Sequence, residues 1–364
     1  MIRFLLVFLL IFSGSLQSFA QRETDNWYFG DHASLEFNAA GTPVSFLNSA
    51  MNTGTHSASI SDRQGNLLFY TDGETVWNRL HQVMQNGSGL AGSKLANQPA
   101  IIIPKPGSTS RYYIFTKSWG SWSVPNLSYS EVDISANNGL GEVLTATKNT
   151  PLLGYGIGYY DKLTAVHHAN HQDIWVITMR ESIPYHEFAA LKITASGVSS
   201  NPVFRTMQIP YTYNQRSSLK ASPTGKHLAL AYGQESWLLD FNDKTGVVSN
   251  ARMVSDLHAG MTNQSAEFSP DGSKLYFGGL NGVSQFDISL NTTAAIIASK
   301  TIISPTGSPL QLASNGKIYV GVGPFPLMEI ANPNAAGAAC NFQPGPTLAA
   351  GTYMQSGFPN LIKI

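Results

Sequence analysis

Charge and cysteine are what this sequence has least of. Only 12% of its 364 residues are charged, 22 of each sign, so the formal net charge is zero and the isoelectric point lies near 7.1. A chain this neutral makes no field to gather nucleic acid or anionic lipid. The single cysteine, Cys340, excludes an internal disulfide and a cysteine-based zinc site. Spanning hydrophobic segments are also missing, since the run Phe4 to Phe12 covers about nine residues against the ~20 of a membrane helix. What the chain does have is 33 Gly, 19 Pro and 11% aromatics, the composition of a turn-rich, β-rich fold long enough to bury a full core.

The first residues read as an export signal. Arg3 supplies a positive start, Phe4 to Phe12 the apolar stretch, and Ser13 to Ala20 a run of small residues with cleavage expected after Ser18-Phe19-Ala20. Residues 1–20 are therefore expected to be a signal peptide and 21–364 one domain, exported to the periplasm or beyond, without membrane insertion after cleavage. A lipoprotein anchor would need a cysteine at the cleavage site, and Cys340 is far from it. Cleavage removes Arg3 and leaves a net charge of about −1. Cys340, alone in an oxidising space, is expected to be buried rather than reactive.

A repeat runs through the chain. The segments Ser57–Tyr70, Ser217–Leu230, Gln264–Phe277 and Leu310–Val320 each carry a small-polar strand, a tight turn with Gly, and an alternating apolar strand. Gly65, Gly225, Gly272 and Gly316 stand where a hairpin turn demands positive φ. Looser copies surround Pro106-Gly107 and Asn170-His171, and the turns follow one another at about 42, 64, 54, 47 and 44 residues, near the length of one four-stranded propeller blade. The ends complement one another: Trp27–Gly30 and Ser34–Phe37 look like strands of a blade lacking its first, and Met354–Leu361 like that first strand. Joined, they close a ring and remove an exposed sheet edge. The expectation is an all-β, seven-bladed β-propeller of about 49 residues per blade, with six or eight blades as alternatives and a β-sandwich as the other fold that regular strand spacing suits.

Asn26-Trp-Tyr-Phe-Gly, Leu67-Leu-Phe-Tyr-Thr-Asp-Gly73, Val76-Trp-Asn-Arg79, Gln82-Val-Met84, Pro104–Ser108, Tyr112–Thr116 and Asp173–Ile177 follow one another in an order that carries a resemblance. The chain resembles the N-terminal propeller region of secreted Bacteroidota proteins that bear PKD or gliding-motility-associated C-terminal domains, over nearly its whole mature length. Ser269-Pro-Asp-Gly272 is similar to the repeat of WD40-like propellers of the TolB type. The resemblance implies a propeller with a binding or scaffolding role and supplies no catalytic residues. Relatives usually continue into Ig-like modules and a sorting domain, whereas this sequence stops at Ile364, which favours a periplasmic or released protein over a surface-attached one.

Motifs that could carry chemistry have plainer readings. His167, His168 and His171 cluster in sequence, but strand alternation sends the first two to opposite faces and the third falls in a turn, so no metal is expected. Gly87-Ser-Gly-Leu-Ala-Gly92 spells G-x-G-x-x-G without the strand and helix that a phosphate cradle needs, and reads as a flexible loop. Ser61–Gly65 has the wrong spacing for a sialidase Asp-box and reads as a hairpin turn. Glu181 with His186, and Asp240 with Asp243, read as surface or turn residues. No cofactor is expected.

Placed on a propeller, the first strands open with His56, Gln98, Thr164, Ser217, Gln264, Gln311 and Gln355, an almost uncharged polar ring at the channel mouth. Loops between second and third strands bring Asp72, Trp119, Trp122, Arg180, Tyr232 and Asn281 to the same face. Amides and hydroxyls beside exposed aromatic rings suit a neutral polyhydroxylated ligand, because rings cover C–H surface while amides bond hydroxyls. The function expected is a non-catalytic, monomeric binding module for a protein partner or a glycan. The alternatives are a hydrolase or lyase on a saccharide or lactone, for which the ring offers chiefly Asp72 and Glu267 as acids, and a passive scaffold.

Overall fold

Alternation of small polar and apolar residues in the repeated segments produces antiparallel hairpins of one design. In the four clear copies the N–H of Gly65, Gly225, Gly272 and Gly316 donates to the carbonyl three residues earlier, at 2.9 to 3.0 Å, with φ of 87°, 68°, 72° and 76°. This is a type I turn closed by one left-handed residue, which matches the twist of the strands it joins. Of the looser copies, His171 at φ 55° closes the same turn on His168 O at 2.8 Å, whereas Gly107 at φ 75° is the third residue of its turn, which Ser108 N–H closes on Lys105 O at 3.0 Å.

The computed structural model describes residues 22–38, 41–118, 127–153, 162–182, 184–210, 217–256, 263–280, 282–323 and 327–362. The expected signal peptide, Trp119, Trp122 and Asn281 lie outside them. The described chain is all-β. A hairpin of β1 (Asn26–Phe29) and β2 (Ala33–Glu36) is followed by β3 (Ala58–Ser61), β4 (Leu67–Thr71), β5 (Thr75–Asn78) and β6 (Val83–Ser88), and then by β7 (Ala100–Pro104), β8 (Arg111–Lys117) and β9 (Leu127–Asp133) with β10 (Glu142–Val143) and β11 (Thr150–Leu153) both on β9. The next sheet holds β12 (Leu163–His167), β13 (Ile174–Ser182) and β14 (Tyr185–Thr194), edged by β15 (Gly197–Val198) and β16 (Val203–Met207). Three four-stranded meanders complete it: β17 (Ser217–Ala221) to β20 (Val247–Asp256), β21 (Asn263–Phe268) to β24 (Thr301–Ser304), and β25 (Leu310–Leu312) to β28 (Phe342–Pro344).

First strands meet in series, β1 on β3, then β3, β7, β12, β17, β21 and β25 each against the next. Sheets lined up through their first strands in this way make a β-propeller. The core fills the spaces between sheets. Val166, Trp175 and Ile177 of one sheet, for instance, pack on Leu219, Leu228 and Leu230 of the next. One pair of sheets departs from simple repetition, because Glu142 on β10 pairs in parallel with Gln85 on β6 and merges two sheets into one of nine strands. Gly87 and Ser88, read from sequence as loop, are the last residues of β6. Gly87 is required there because a Cβ would lie 2.8 Å from the carbonyl oxygen of Met84 and 3.0 Å from that of Val76. Cys340 is buried against Tyr276 and Val283, and burial raises its thiol pKa.

The two ends of the chain meet. Trp27, Phe29 and Leu35 share one buried cluster with Tyr319, Leu327, Met354, Phe358 and Leu361. Asp31 bridges Tyr353, Ser57 bridges Pro359 in parallel, and the N–H of Asn360 donates to Ser57 O at 2.7 Å. Gly30 sits at this junction with φ 59°, and a Cβ on it would stand 2.2 Å from the carbonyl oxygen of Tyr353. Gly30→Ala is therefore expected to cost about 2 kcal/mol or more, through left-handed strain and a backbone collision that no side-chain rotation relieves. Equilibrium urea unfolding checks it, and an unchanged midpoint would mean that the ends are not held together through this contact.

Candidate functional site

Small hydroxyls on the first strands hold neighbouring sheets together. Ser57 and Ser59 donate to Tyr28 O and Asn26 O at 2.5 and 2.6 Å, while Thr164, Ser218 and Ser265 accept from the N–H of Ala221, Ala266 and Leu310 at 3.2, 3.0 and 2.9 Å. Two amides reach further. Gln98 Nε2 donates to Leu163 O and Leu219 O, both at 3.0 Å, and its Oε1 accepts from the N–H of the same two residues at 3.3 and 2.8 Å. Asn360 Nδ2 donates to Ala100 O and Leu163 O at 3.2 and 2.8 Å. Side chains thus supply partners that a strand in the same sheet would otherwise provide.

Charged groups are buried alongside them. Lys220 Nζ donates to Gln311 Oε1 at 2.6 Å and stands 3.9 Å from Glu267 Oε2, with all three residues buried. Glu267 also accepts from the N–H of Phe268 and Leu312 at 2.9 and 3.0 Å. His56 is buried near enough to Lys220 to feel its charge, and desolvation together with that charge lowers its pKa to about 3. His186 is buried too and lowered to about 4 by desolvation and by Lys162.

The expected mouth ring is therefore divided. His56, Gln98, Thr164 and Gln311 are buried. Asp72, expected on an exposed loop, is buried, and its Oδ1 accepts from the N–H of Glu74 and Thr75 at 2.9 and 2.8 Å, closing the turn between β4 and β5. Tyr232 is no loop residue: it ends β18 (His227–Tyr232), is fully buried, and packs edge-on against His186 with Lys162 Nζ 5.5 Å from its ring. Arg180, on β13, donates through Nε to Glu187 Oε2 at 2.5 Å and lies over the Phe204 ring. Ser217 opens β17 opposite Tyr232.

Gln264 and Gln355 come together. With Ser308, Gly323, Tyr353, Met354 and Ser356 they line a cavity of about 390 Å3 at the N-terminal ends of β21 and β25. Tyr353 is 41% exposed. Its position beside Gln355 in the closing segment was a signal in the sequence that the reading by repeats passed over. No carboxylate is among the described residues that line this cavity.

A second cavity, about 310 Å3, lies at the other end of the first strands, where Asp62, Pro104 and His167 mark the C-terminal ends of β3, β7 and β12. Its histidine belongs to the sequence cluster, whose members separate: His168 Nε2 bonds Lys244 O at 3.1 Å and its ring stacks on Trp175, while His171 forms the turn. Among the described residues no group of three His, Cys, Asp or Glu is placed to hold a metal.

No family model matches the chain, and no curated protein matches it. Solved structures similar to it include the Dos1 propeller, at 12% identity over 89% of this chain and 76% of that one with a TM-score of 0.41. The β-propeller domain of Cps50 (Swd1) from Myceliophteria thermophila is similar over 67% of this chain and 68% of its own, at 11% identity and a TM-score of 0.38. A luciferin-regenerating enzyme is similar over 95% and 96%, at 10% identity and a TM-score of 0.37. Similarities at this level transfer no activity.

Gln98→Leu keeps the volume and removes five buried hydrogen bonds, one of them to Asn360 Oδ1, and leaves the N–H of Leu163 and the N–H and carbonyl of Leu219 without these partners, while Leu163 O keeps Asn360 Nδ2. The expected loss is about 3 kcal/mol or more, read as a lower urea midpoint. A midpoint within error of the parent would show that these strands do not depend on the amide.

The buried histidines set a pH dependence. Their folded pKa values lie below the unfolded ~6.5, so the unfolded chain binds more protons and stability falls as pH drops below about 6.5 toward 3 to 4. Thermal midpoints are expected to be level above pH 7 and to decline between pH 6.5 and 4.5, with a shallower decline in His56→Gln. Equal slopes in the two proteins would remove His56 as the cause.

Proposed function

We propose that the protein is a non-catalytic binding module that takes a neutral, hydroxyl-rich ligand, a glycan by class, in the cavity of Gln264 and Gln355. The observation that carries this reading is the convergence there of two amides, two serine hydroxyls and a half-open tyrosine, with no carboxylate among the described lining residues. Amides and hydroxyls exchange hydrogen bonds with sugar hydroxyls at little electrostatic cost, and the Tyr353 ring offers a face for C–H surface. The two acids that a hydrolase reading would use are engaged elsewhere, Asp72 in its turn and Glu267 in the buried pair with Lys220. Glycosidase chemistry needs a pair of carboxyls facing one bond.

The same reading carries the finer architecture: seven blades, the seventh made of β1, β2 and the segment through Asn360, in one domain of residues 21–364. It also carries export after loss of the leader, a monomeric state, and kinship with the secreted Bacteroidota propellers on the residues quoted above. Among the described residues no helix is long and apolar enough to cross a membrane.

The test is a glycan array and polysaccharide pull-down with the chain from residue 21, beside Gln355→Ala and Tyr353→Ala, both exposed positions. Saturable binding to a neutral glycan, weakened about tenfold or more by either substitution, is expected. Binding that both variants retain would move the ligand to another surface, and absence of glycan binding would leave a protein partner as the remaining binding reading.

A further inference from the structure

The cavity at the C-terminal ends of the first strands is assembled from five separate stretches of chain. Glu23 comes from the segment before β1, Asp62 and Arg63 from the turn after β3, Pro104 and Tyr112 from the β7–β8 hairpin, His167 from the end of β12, and Ile362 from the last described residues. Its volume, about 310 Å3, is at the lower end for a small-molecule site.

Two side chains there carry polar atoms left over. Glu23 Oε2 and His167 Nδ1 are buried and have no hydrogen-bond partner. Glu23 is 15% exposed, and its other oxygen stands 3.7 Å from Arg63 Nε, an ion pair too long for a hydrogen bond. The buried oxygen, without a hydrogen bond, is costly to leave so unless something else donates to it. Asp62 differs: its oxygens already accept from Gln64 N, Asn66 N and Asn66 Nδ2, each at 2.9 Å. It contributes negative charge, with three of its roughly four acceptor sites already taken inside the turn.

The balance of charge fixes the sign of the missing donor. Two carboxylates face one guanidinium, and that guanidinium is 88% exposed at the rim. His167 adds no compensating charge near neutral pH, since desolvation and then His171 lower its pKa. Tyr112 reports the same field, because burial and the charges of Glu23 and Asp62 push its hydroxyl up to about 12. The apolar part of the lining is made by Ile60, Pro104, Ile362 and the Tyr112 ring, with Gln64, Ser108 and Thr109 as its neutral polar part.

We propose that this cavity binds a primary ammonium group on an alkyl chain, with the ammonium on Glu23 and the chain along Tyr112, Ile60, Pro104 and Ile362. The group can come from a free amine or from a lysyl side chain. An ammonium donates three hydrogen bonds from a compact charge, and the Tyr112 ring adds a face that attracts cations. This site is separate from the cavity of Gln264 and Gln355, so its fate does not depend on the glycan reading.

The experiment is calorimetric or NMR titration of the chain from residue 21 with n-pentylamine, n-pentanol and the tripeptide Gly-Lys-Gly at pH 7.5. Pentylammonium is expected to saturate and to bind at least tenfold more tightly than the alcohol of the same length. Glu23→Gln, checked for folding by circular dichroism, is expected to bring the amine down to the level of the alcohol. Arg63→Gln, at an exposed position that leaves folding alone, is expected to raise amine affinity severalfold by removing the cation that competes for Glu23. It keeps the test open if Glu23→Gln does not fold. Binding of the tripeptide as tightly as the amine assigns the site to lysyl chains, and much weaker binding assigns it to free amines. Equal affinity for amine and alcohol, no saturation by the amine, or an Arg63→Gln protein that binds it no better overturns the proposal.

Discussion

Everything in this molecule hangs on how the first strand of each sheet satisfies the backbone edge that has no strand beside it in its own sheet. An unpaired edge costs free energy when buried and invites foreign strands when exposed. The chain answers with side chains. Ser57, Ser59, Thr164, Ser218 and Ser265 are short enough to let first strands crowd together and still place one oxygen on the neighbour's backbone. Where the gap is wider, Gln98 and Asn360 span it, and Gln98 ties two strands 65 and 121 residues further along the chain. This explains why the repeats begin with small polar residues, a pattern that an ordinary half-buried strand would not need.

That solution has an electrostatic consequence. First strands that show polar side chains to one another leave a buried polar interior, and Lys220, Glu267 and Gln311 meet in it from three different sheets. The contact of opposite charges between Lys220 and Glu267, 3.9 Å apart and buried, joins β17 to β21. The same interior suppresses the protonation of His56. Of the residues that look like a ligand ring in the sequence, Gln98 and Thr164 are occupied with the backbone of neighbouring first strands and Gln311 with Lys220, and the two cavities lie at the ends of those strands.

Much of the architecture was legible because it is local. Gly65, Gly225, Gly272 and Gly316 announced their turns through a backbone conformation that few other residues adopt, and the repeat placed strands around them. The complementarity of Trp27–Gly30 with Met354–Leu361 was legible as well, since each end showed half of the same pattern. The site was less so. Tyr232 looks like a loop aromatic until pairing with Glu235 and packing on His186 bury it. Asp72 looks like an acid for catalysis until its oxygen is seen closing a turn. Glu23, Tyr112 and His167 form no motif at all, because only the ring order of the sheets brings positions so far apart to one cavity.

The two ends of the first strands differ in chemistry for a reason rooted in the turn design. At their C-terminal ends the chain must reverse within a few residues, and Asp62 and Asp271 accept backbone N–H groups inside those turns. Charged side chains of both signs therefore stand at that end, Lys105, Lys226, Lys274 and Lys317 in or beside the turns as well as the two acids, and Glu23 joins Asp62 at one cavity. At the N-terminal ends longer connections arrive, and Gln264, Ser308, Gln355 and Ser356 line their cavity with neutral amides and hydroxyls. The two proposed sites thus fall at different ends, each suited to the side chains that folding places there. The near-zero net charge of the whole chain conceals this asymmetry.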